Sequence, residues 1–325
     1  MINAGRVMPR LSRYLAPLLA LLWAVSATAG PRNDALTAAF EGWMAETGFT
    51  SGAIAVIEAG TPYAQGYGDT RPDQPVALAS LSKAITAACV AALDKNGVFD
   101  LDADIATLLD LPGAAGRLSE FLTHSAGLAP DRTQGIPWHL DADRTPRHQI
   151  AAQTALAAPR KSPDFRYSNE NYAVLGAVLD AQTQTDYATG CARLVLAPSG
   201  IKSAALDPVW GPHGAWGGWS MSVRDYARFV QAWFGDGGGY AQDPLAWPHA
   251  TLGNSRYYIM GAFHRPRRGE NLFWHAGQLC WNGAGDGSYF ASYGGDPVVV
   301  VSFKGCASDD AFQALSRALF QAGVN

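Results

Sequence analysis

Apolar residues recur along the chain in blocks with two different periods. Leu36, Phe40, Trp43 and Met44 follow Asn33-Asp34 at helical spacing and predict a capped amphipathic helix. Residues 52–57 are β-rich. Gly60-Thr61-Pro62 turns the chain into a second short strand ending near Gly66-Tyr67-Gly68, so a hairpin is expected. Over 80–96, Ile85, Cys89, Val90, Ala92 and Leu93 fit a mostly buried helix with Gly97 at its C′ position. The stretch 101–255 is rich in Ala and Leu, in helical patterns broken by Pro and Gly, with no convincing run of strands. β-character returns from Tyr257: 271–274, 288–293 and 297–303 read as three strands. Val298-Val299-Val300-Val301 is apolar on both faces, as a central strand requires. Ser308-Asp309-Asp310 caps a final helix with Phe312, Leu315, Leu319 and Phe320 inward.

Strands at both ends and helices between them predict an α+β fold. An antiparallel sheet built from both termini is flanked by the terminal helices and carries an inserted, mostly helical region. Residues 30–100 and 256–325 are assigned to the sheet subdomain and 101–255 to the helical one, with a cleft between them.

The first 29 residues differ from the rest. Arg6, Arg10 and Arg13 make a basic start without acids, an apolar run covers 15–25, and Ala27-Thr28-Ala29 supplies small residues. This is the layout of a secretory signal peptide cleaved near Ala29-Gly30, and it predicts a periplasmic or secreted protein. The alternative is a retained anchor, but the run falls short of the ~20 apolar residues of a bilayer span. No Cys beside the cleavage site suggests a lipoprotein, and no second long apolar stretch follows, so a membrane span is not expected in the mature chain. Removing the three leader arginines from 24 basic residues leaves 21 against 28 acidic, a net charge of −7. That balance gives no basic face for nucleic acid. With 48% hydrophobic residues, the chain has ample material for a core. Its four cysteines form no CxxC pair and no His/Cys spacing of a zinc site, so no metal or organic cofactor is expected. Cys89 reads as a small core residue; Cys280 and Cys306, near the ends of two predicted strands, could bridge.

The candidate chemistry starts at Ser80-Leu81-Ser82-Lys83. Positions three apart share a helix face, so hydroxyl and amine can meet. A serine hydroxyl needs a base, and a lysine serves once burial depresses its pKa. The helix start also offers free N–H groups to an oxyanion. Alone, the pattern is weak evidence and reads as a helix cap and a surface lysine. A second element, Tyr167-Ser168-Asn169 before an apolar helical run, offers a phenol as proton relay and an amide for substrate. A third, Trp274-His275-Ala276-Gly277, ends a strand, where Gly277 permits close approach and the N–H of Gln278 could be a second oxyanion donor. Taken singly, His275 reads as a satisfied strand histidine.

In order and spacing these elements resemble the serine β-lactamase and penicillin-binding protein superfamily, in which SxxK, Tyr/Ser-x-Asn and Lys/His-x-Gly converge. The resemblance extends over Leu101-Asp102-Ala103-Asp104, Phe121-Leu122-Thr123-His124-Ser125-Ala126-Gly127-Leu128, 172–179, Ala197-Pro198-Ser199-Gly200-Ile201 and Gly217-Gly218-Trp219-Ser220-Met221-Ser222-Val223-Arg224-Asp225. The branch is similar to class C β-lactamases, D-alanyl-D-alanine carboxypeptidases and family VIII esterases. It implies a β-lactamase/transpeptidase-like fold. Ser80 would be the acylated nucleophile, Lys83 its base or base partner and Tyr167 the proton shuttle. Asn169 would orient substrate, the N–H groups of Ser80 and Gln278 would form the oxyanion hole, and His275 would line the cleft from the edge strand.

β-Lactamases of this branch usually carry Lys where this chain has His275. A histidine near its reference pKa of about 6.5 holds a substrate carboxylate only partly. Residues 76–79 lack the aromatic often found before the nucleophile, and the 68–80 linker is short. Other candidates carry less. Ser82 has no lysine three residues on, 218–222 fails GxSxG, and 283–287 reads as a hairpin loop, not a dinucleotide site. His124 buttresses the fold; Asp141, Asp143 and Asp164 read as solvated loop charges. The expected function is an exported serine hydrolase acting through an acyl-enzyme on an ester, amide, D-residue peptide or β-lactam. Its only expected partner is that small-molecule or peptide substrate. The alternatives are a catalytically silent binding or regulatory protein on the same fold, or acyl transfer to an amine or alcohol. Cleft shape depends on 129–165, with Trp138 and His139.

Overall fold

The computed structural model describes residues 30–114, 116–128, 130–140 and 143–324; the leader and Asp141 lie outside them. Helix α1 (Pro31–Thr47) starts earlier than Asn33-Asp34, with Pro31 at its first turn, where a missing N–H is no loss. Its N-terminus is capped from outside: the Glu58 carboxylate accepts the Asn33 N–H at 3.0 Å. Strands β1 (Gly52–Glu58) and β2 (Thr61–Tyr67) form the expected hairpin. The turn itself is Ala59-Gly60, and Pro62 sits in β2, an edge strand where a missing donor is harmless. After β3 (Val76–Ala77), a tight turn over Ala79–Leu81 leads into α2 (Ser82–Lys95), buried on nearly every face.

The middle of the chain holds α3 (Asn169–Thr183), β4 (Ala205–Leu206), β5 (Trp219–Met221) and α4 (Val223–Phe234). The short strands make a three-stranded sheet in the order β3-β5-β4. The main sheet continues through β6 (His249–Gly253), β7 (Arg256–Ile259), β8 (Ala262–Arg267), β9 (Glu270–Trp281), β10 (Ala284–Tyr293) and β11 (Val298–Lys304). Helix α5 (Asp309–Val324) closes the chain, with the Ser308 hydroxyl accepting the Ala311 N–H.

The eight-stranded sheet runs β2-β1-β11-β10-β9-β8-β7-β6 with antiparallel pairings throughout. Its C-terminal set of strands starts at His249, before the expected boundary. Val299 and Val301 pack with Leu36, Phe40, Leu315 and Leu319 under α1 and α5. Val298 and Val300 belong to the core on the opposite side, with α2, α3 and α4. A strand covered on both faces has no polar face to alternate with.

Two expectations change. Residues 283–287 are not a loop: Asn282 (φ 50°) and Gly283 (φ 81°) alone make the turn, and Ala284 already pairs with Trp281. Asn-Gly with both φ positive is the signature of a tight hairpin turn. Cys89 is not a free core thiol. It bridges Cys191 (Cα–Cα 5.4 Å), while Cys280 bridges Cys306 (Cα–Cα 5.8 Å). Among the described residues no helix is long and apolar enough to cross a membrane.

Candidate active site

Ser80 sits on the turn before α2. Ala79, immediately before it, has φ 47°, a left-handed conformation uncommon for a residue with a Cβ. One helical turn on, Lys83 is fully buried. Its Nζ lies 3.1 Å from Ser80 Oγ, 2.8 Å from Asn169 Oδ1 and 2.8 Å from the Trp216 carbonyl. Burial lowers the amine's pKa from 10.5 to about 7, and the charge of Asp131 pulls partly back. A neutral amine has two N–H bonds and one lone pair. Asn169 Oδ1 and the Trp216 carbonyl accept both hydrogens, which leaves the lone pair toward the Ser80 hydroxyl.

The Tyr167 ring centroid is 4.9 Å from Lys83 Nζ, and its phenol lies near enough to Ser80 for that hydroxyl to lower its pKa. Burial raises the phenol's pKa, Ser80 lowers it and Asp131 raises it, so the group is protonated at neutral pH. The residue is still 37% exposed and therefore open to the cleft. Behind it, His124 packs against the rings of Tyr167 (4.4 Å) and Tyr258 (4.7 Å) and accepts the Ser168 N–H. Burial holds His124 neutral, which suits a buttress.

Asn169 opens α3. Its Oδ1 accepts from Lys83 and its Nδ2 donates to Thr133 Oγ1 at 3.1 Å, which fixes the amide at the cavity wall with one lone pair and one N–H still open to a substrate. Asp131 holds the Asn169 N–H at 2.8 Å and the Thr133 hydroxyl at 2.7 Å. Arg132 pairs in bidentate fashion with buried Glu170, at 2.7 and 2.8 Å. The segment 131–133 thus locks the start of α3. Sequence reasoning missed it, although Asp-x-Thr is a local turn signal.

His275 departs from expectation. Strand β9 lies inside the sheet, with β10 on one side and β8 on the other. Only beyond Trp274, where its pairing with β8 stops, does β9 have a local edge. His275 is 2% exposed and stands behind Tyr167, its Nε2 3.5 Å from the Tyr258 hydroxyl. Burial, then the charge of Lys83, pushes its pKa down to about 3, so it carries no charge for a carboxylate. Gly277 also has a different use. A Cβ there would lie 2.6 Å from Ser80 N and 2.9 Å from the Leu78 carbonyl, so its absence lets the nucleophile's turn pack on β9. The amides of Ser80 and Gln278 are thereby neighbours. The Gln278 side chain is turned away, exchanging two hydrogen bonds with the Ala307 backbone (2.6 and 3.0 Å).

These groups open into a cavity of about 240 Å³. Ser80, Tyr167 and Asn169 contribute on one side, and Trp210, Trp216 and Trp281 on another. His139 and His213 also line it, and burial holds both below their ordinary pKa, His213 at about 4. A hollow of about 510 Å³ around 100–102 and 245–249 has no comparable nucleophile–base pair. Among the described residues no cluster of His, Cys, Asp or Glu could hold a metal.

Residues 36–305 match a family model described as Beta-lactamase. No curated protein sequence matches the chain. Solved structures do. The D-amino acid amidase from Ochrobactrum anthropi SV3, complexed with L-phenylalanine amide, is 20% identical with TM-score 0.72, over 90% of this chain and 98% of that one. SurE with D-Leu is 23% identical with TM-score 0.70, over 90% and 76%. The octameric penicillin-binding protein homologue from Pyrococcus abyssi is 19% identical with TM-score 0.68, over 89% and 77%. At such identities the likeness carries the fold, which these proteins share with this chain.

Proposed function

The chain belongs to the beta-lactamase family, and from that premise we propose that it is a serine hydrolase working through an acyl-enzyme on Ser80. The observation that carries the reading is the buried Lys83 amine 3.1 Å from Ser80 Oγ, its other contacts both hydrogen-bond acceptors. In the proposed sequence Ser80 Oγ attacks a carbonyl carbon while its proton passes to Lys83 Nζ. The amides of Ser80 and Gln278 hold the oxyanion. The protonated Tyr167 phenol donates to the leaving group and is reprotonated from Lys83. Water then attacks the acyl-enzyme, losing its proton along the same path, and Ser80 is restored. His275, Gly277 and Asn169 act in support: His275 behind the phenol, Gly277 under the nucleophile's turn, Asn169 on the base.

The substrate class is an ester, amide, D-residue peptide or β-lactam. The name of the Ochrobactrum neighbour, a D-amino acid amidase, favours including amides. A periplasmic or secreted location is part of the proposal, supported by the leader pattern and two disulfides. Intact-mass analysis after a fluorophosphonate probe tests the mechanism. One adduct on the mature protein and none on Ser80→Ala is expected; equal labelling of both, or of neither, removes Ser80 as nucleophile. A panel of p-nitrophenyl esters, D-amino-acid amides and nitrocefin then ranks substrates, and cell fractionation reads location.

A further inference from the structure

The cavity beside Ser80 is walled by touching aromatic rings. His139 lies between Trp210 (centroids 4.5 Å) and Trp281 (5.3 Å), and His213 between Trp210 (5.7 Å) and Trp216 (5.8 Å). Trp210 is fixed, because its indole N–H donates to Asp286 Oδ2 at 2.8 Å. Its N–H is therefore occupied, leaving ring surface as what it offers the cavity.

Most charges near this wall are held within the protein, while exposed Arg144 donates to the carbonyls of His139 and Val209. Asp286 also pairs with Lys304, Arg132 with Glu170, and Asp131 accepts from Asn169 and Thr133. Lys83 is buried beneath, with all its partners internal. None of the described residues lining the cavity is a Lys, Arg, Asp or Glu. A substrate charge brought here would leave water for a cavity whose lining offers no opposite charge, which is unfavourable. A flat ring would gain stacked and edge-on contacts.

We infer that the cleft selects uncharged acyl substrates bearing an aryl group, the ring lying against Trp210, His139 and Trp281. The inference rests on Ser80 being the acylated nucleophile.

Three para-substituted aryl esters and one saturated control test it: methyl 4-methylphenylacetate, its 4-carboxy and 4-aminomethyl counterparts, and methyl cyclohexylacetate, followed with a pH indicator at pH 7.5. The neutral aryl ester is expected to exceed each other ester at least about tenfold in kcat/KM, a typical effect of one well-placed contact set. In Trp281→Ala the aryl-to-cyclohexyl ratio is expected to fall by a similar factor. A charged ester hydrolysed as well as the neutral one, or a cyclohexyl ester equal to the aryl one, overturns the inference. Binding of the same four compounds to Ser80→Ala, followed by indole fluorescence, measures the preference without turnover. There the neutral aryl ester must bind about tenfold tighter; equal binding overturns the inference. If no fluorophosphonate adduct forms on Ser80 yet this binding order holds, the hydrolase reading fails and the ligand preference stands. If the adduct forms and the order is absent, the reverse is true.

Discussion

Replacing Lys83 with Met tests the whole electrostatic account, because Met fills the same space without an ionisable group. The buried amine titrates near pH 7 instead of 10.5. At about 1.4 kcal/mol per pH unit, holding it protonated inside the fold costs about 5 kcal/mol relative to the unfolded chain. The sign follows from proton counts. Below pH 7 the amine is charged in both states and the full cost applies. Between pH 7 and 10.5 the unfolded chain binds more protons than the folded one, so stability rises with pH. Above 10.5 the amine is neutral in both states and the cost is gone. The residual cost at pH 9 is about 2 kcal/mol, so wild type should gain about 3 kcal/mol on Lys83→Met between pH 6 and pH 9. Urea unfolding of both proteins across that range, disulfides intact, measures the gap directly, and other titrating groups cancel in the difference. The rate of Ser80 acylation by an uncharged probe should rise about tenfold per pH unit below 7 and level off above it. A stability gap that stays constant from pH 6 to 9, or grows in favour of Lys83→Met, would refute the depressed amine and with it the proposed base.

Tyr167→Phe keeps the ring against His124 and removes the proton; kcat should fall about 10²–10⁴-fold with KM little changed. Steady-state ester kinetics decide, and unaltered kcat takes the phenol out of the mechanism. Gly277→Ala puts a Cβ 2.6 Å from Ser80 N, against backbone that cannot swing aside. It should cost about 1–3 kcal/mol in urea unfolding and about 10²-fold in kcat/KM, whereas wild-type rates would mean the nucleophile's turn is not held there. Cys89→Ala/Cys191→Ala opens a link across 102 residues; a loss of about 2–5 kcal/mol in the same unfolding assay is expected, and no loss would mean the pair does not form.

Much of this molecule is written in local pattern. The periodicity of Leu36 to Met44 marks α1, the valine run marks β11, and the spacing of Ser80 and Lys83 places hydroxyl and amine on one helix face. What escapes such reading is set by distance. Nothing near Cys89 announces Cys191, and nothing in Trp210 announces the Asp286 carboxylate that fixes it. His275 is legible as a residue and not as an environment. Its position on β9 follows from pattern, but its neutrality comes from rings delivered by Tyr167, Tyr258 and Phe263, three separate stretches of chain. The short strands β3, β4 and β5 are too brief for a period to show. Asn282-Gly283, by contrast, is a local signal strong enough to have marked its two-residue turn.

The pairing of β1 with β11 joins Gly52 to Phe303, about three quarters of the 325-residue chain apart. The meander from β6 to β10 and the β1–β2 hairpin can each assemble from neighbours, but they meet only through β11. Closing so long a loop is slow, and it waits for the last strand to be synthesised. A chain stopped short of Val298 would still contain the serine, the lysine and the tyrosine, yet lack the seam along which the two parts of the sheet are sewn together.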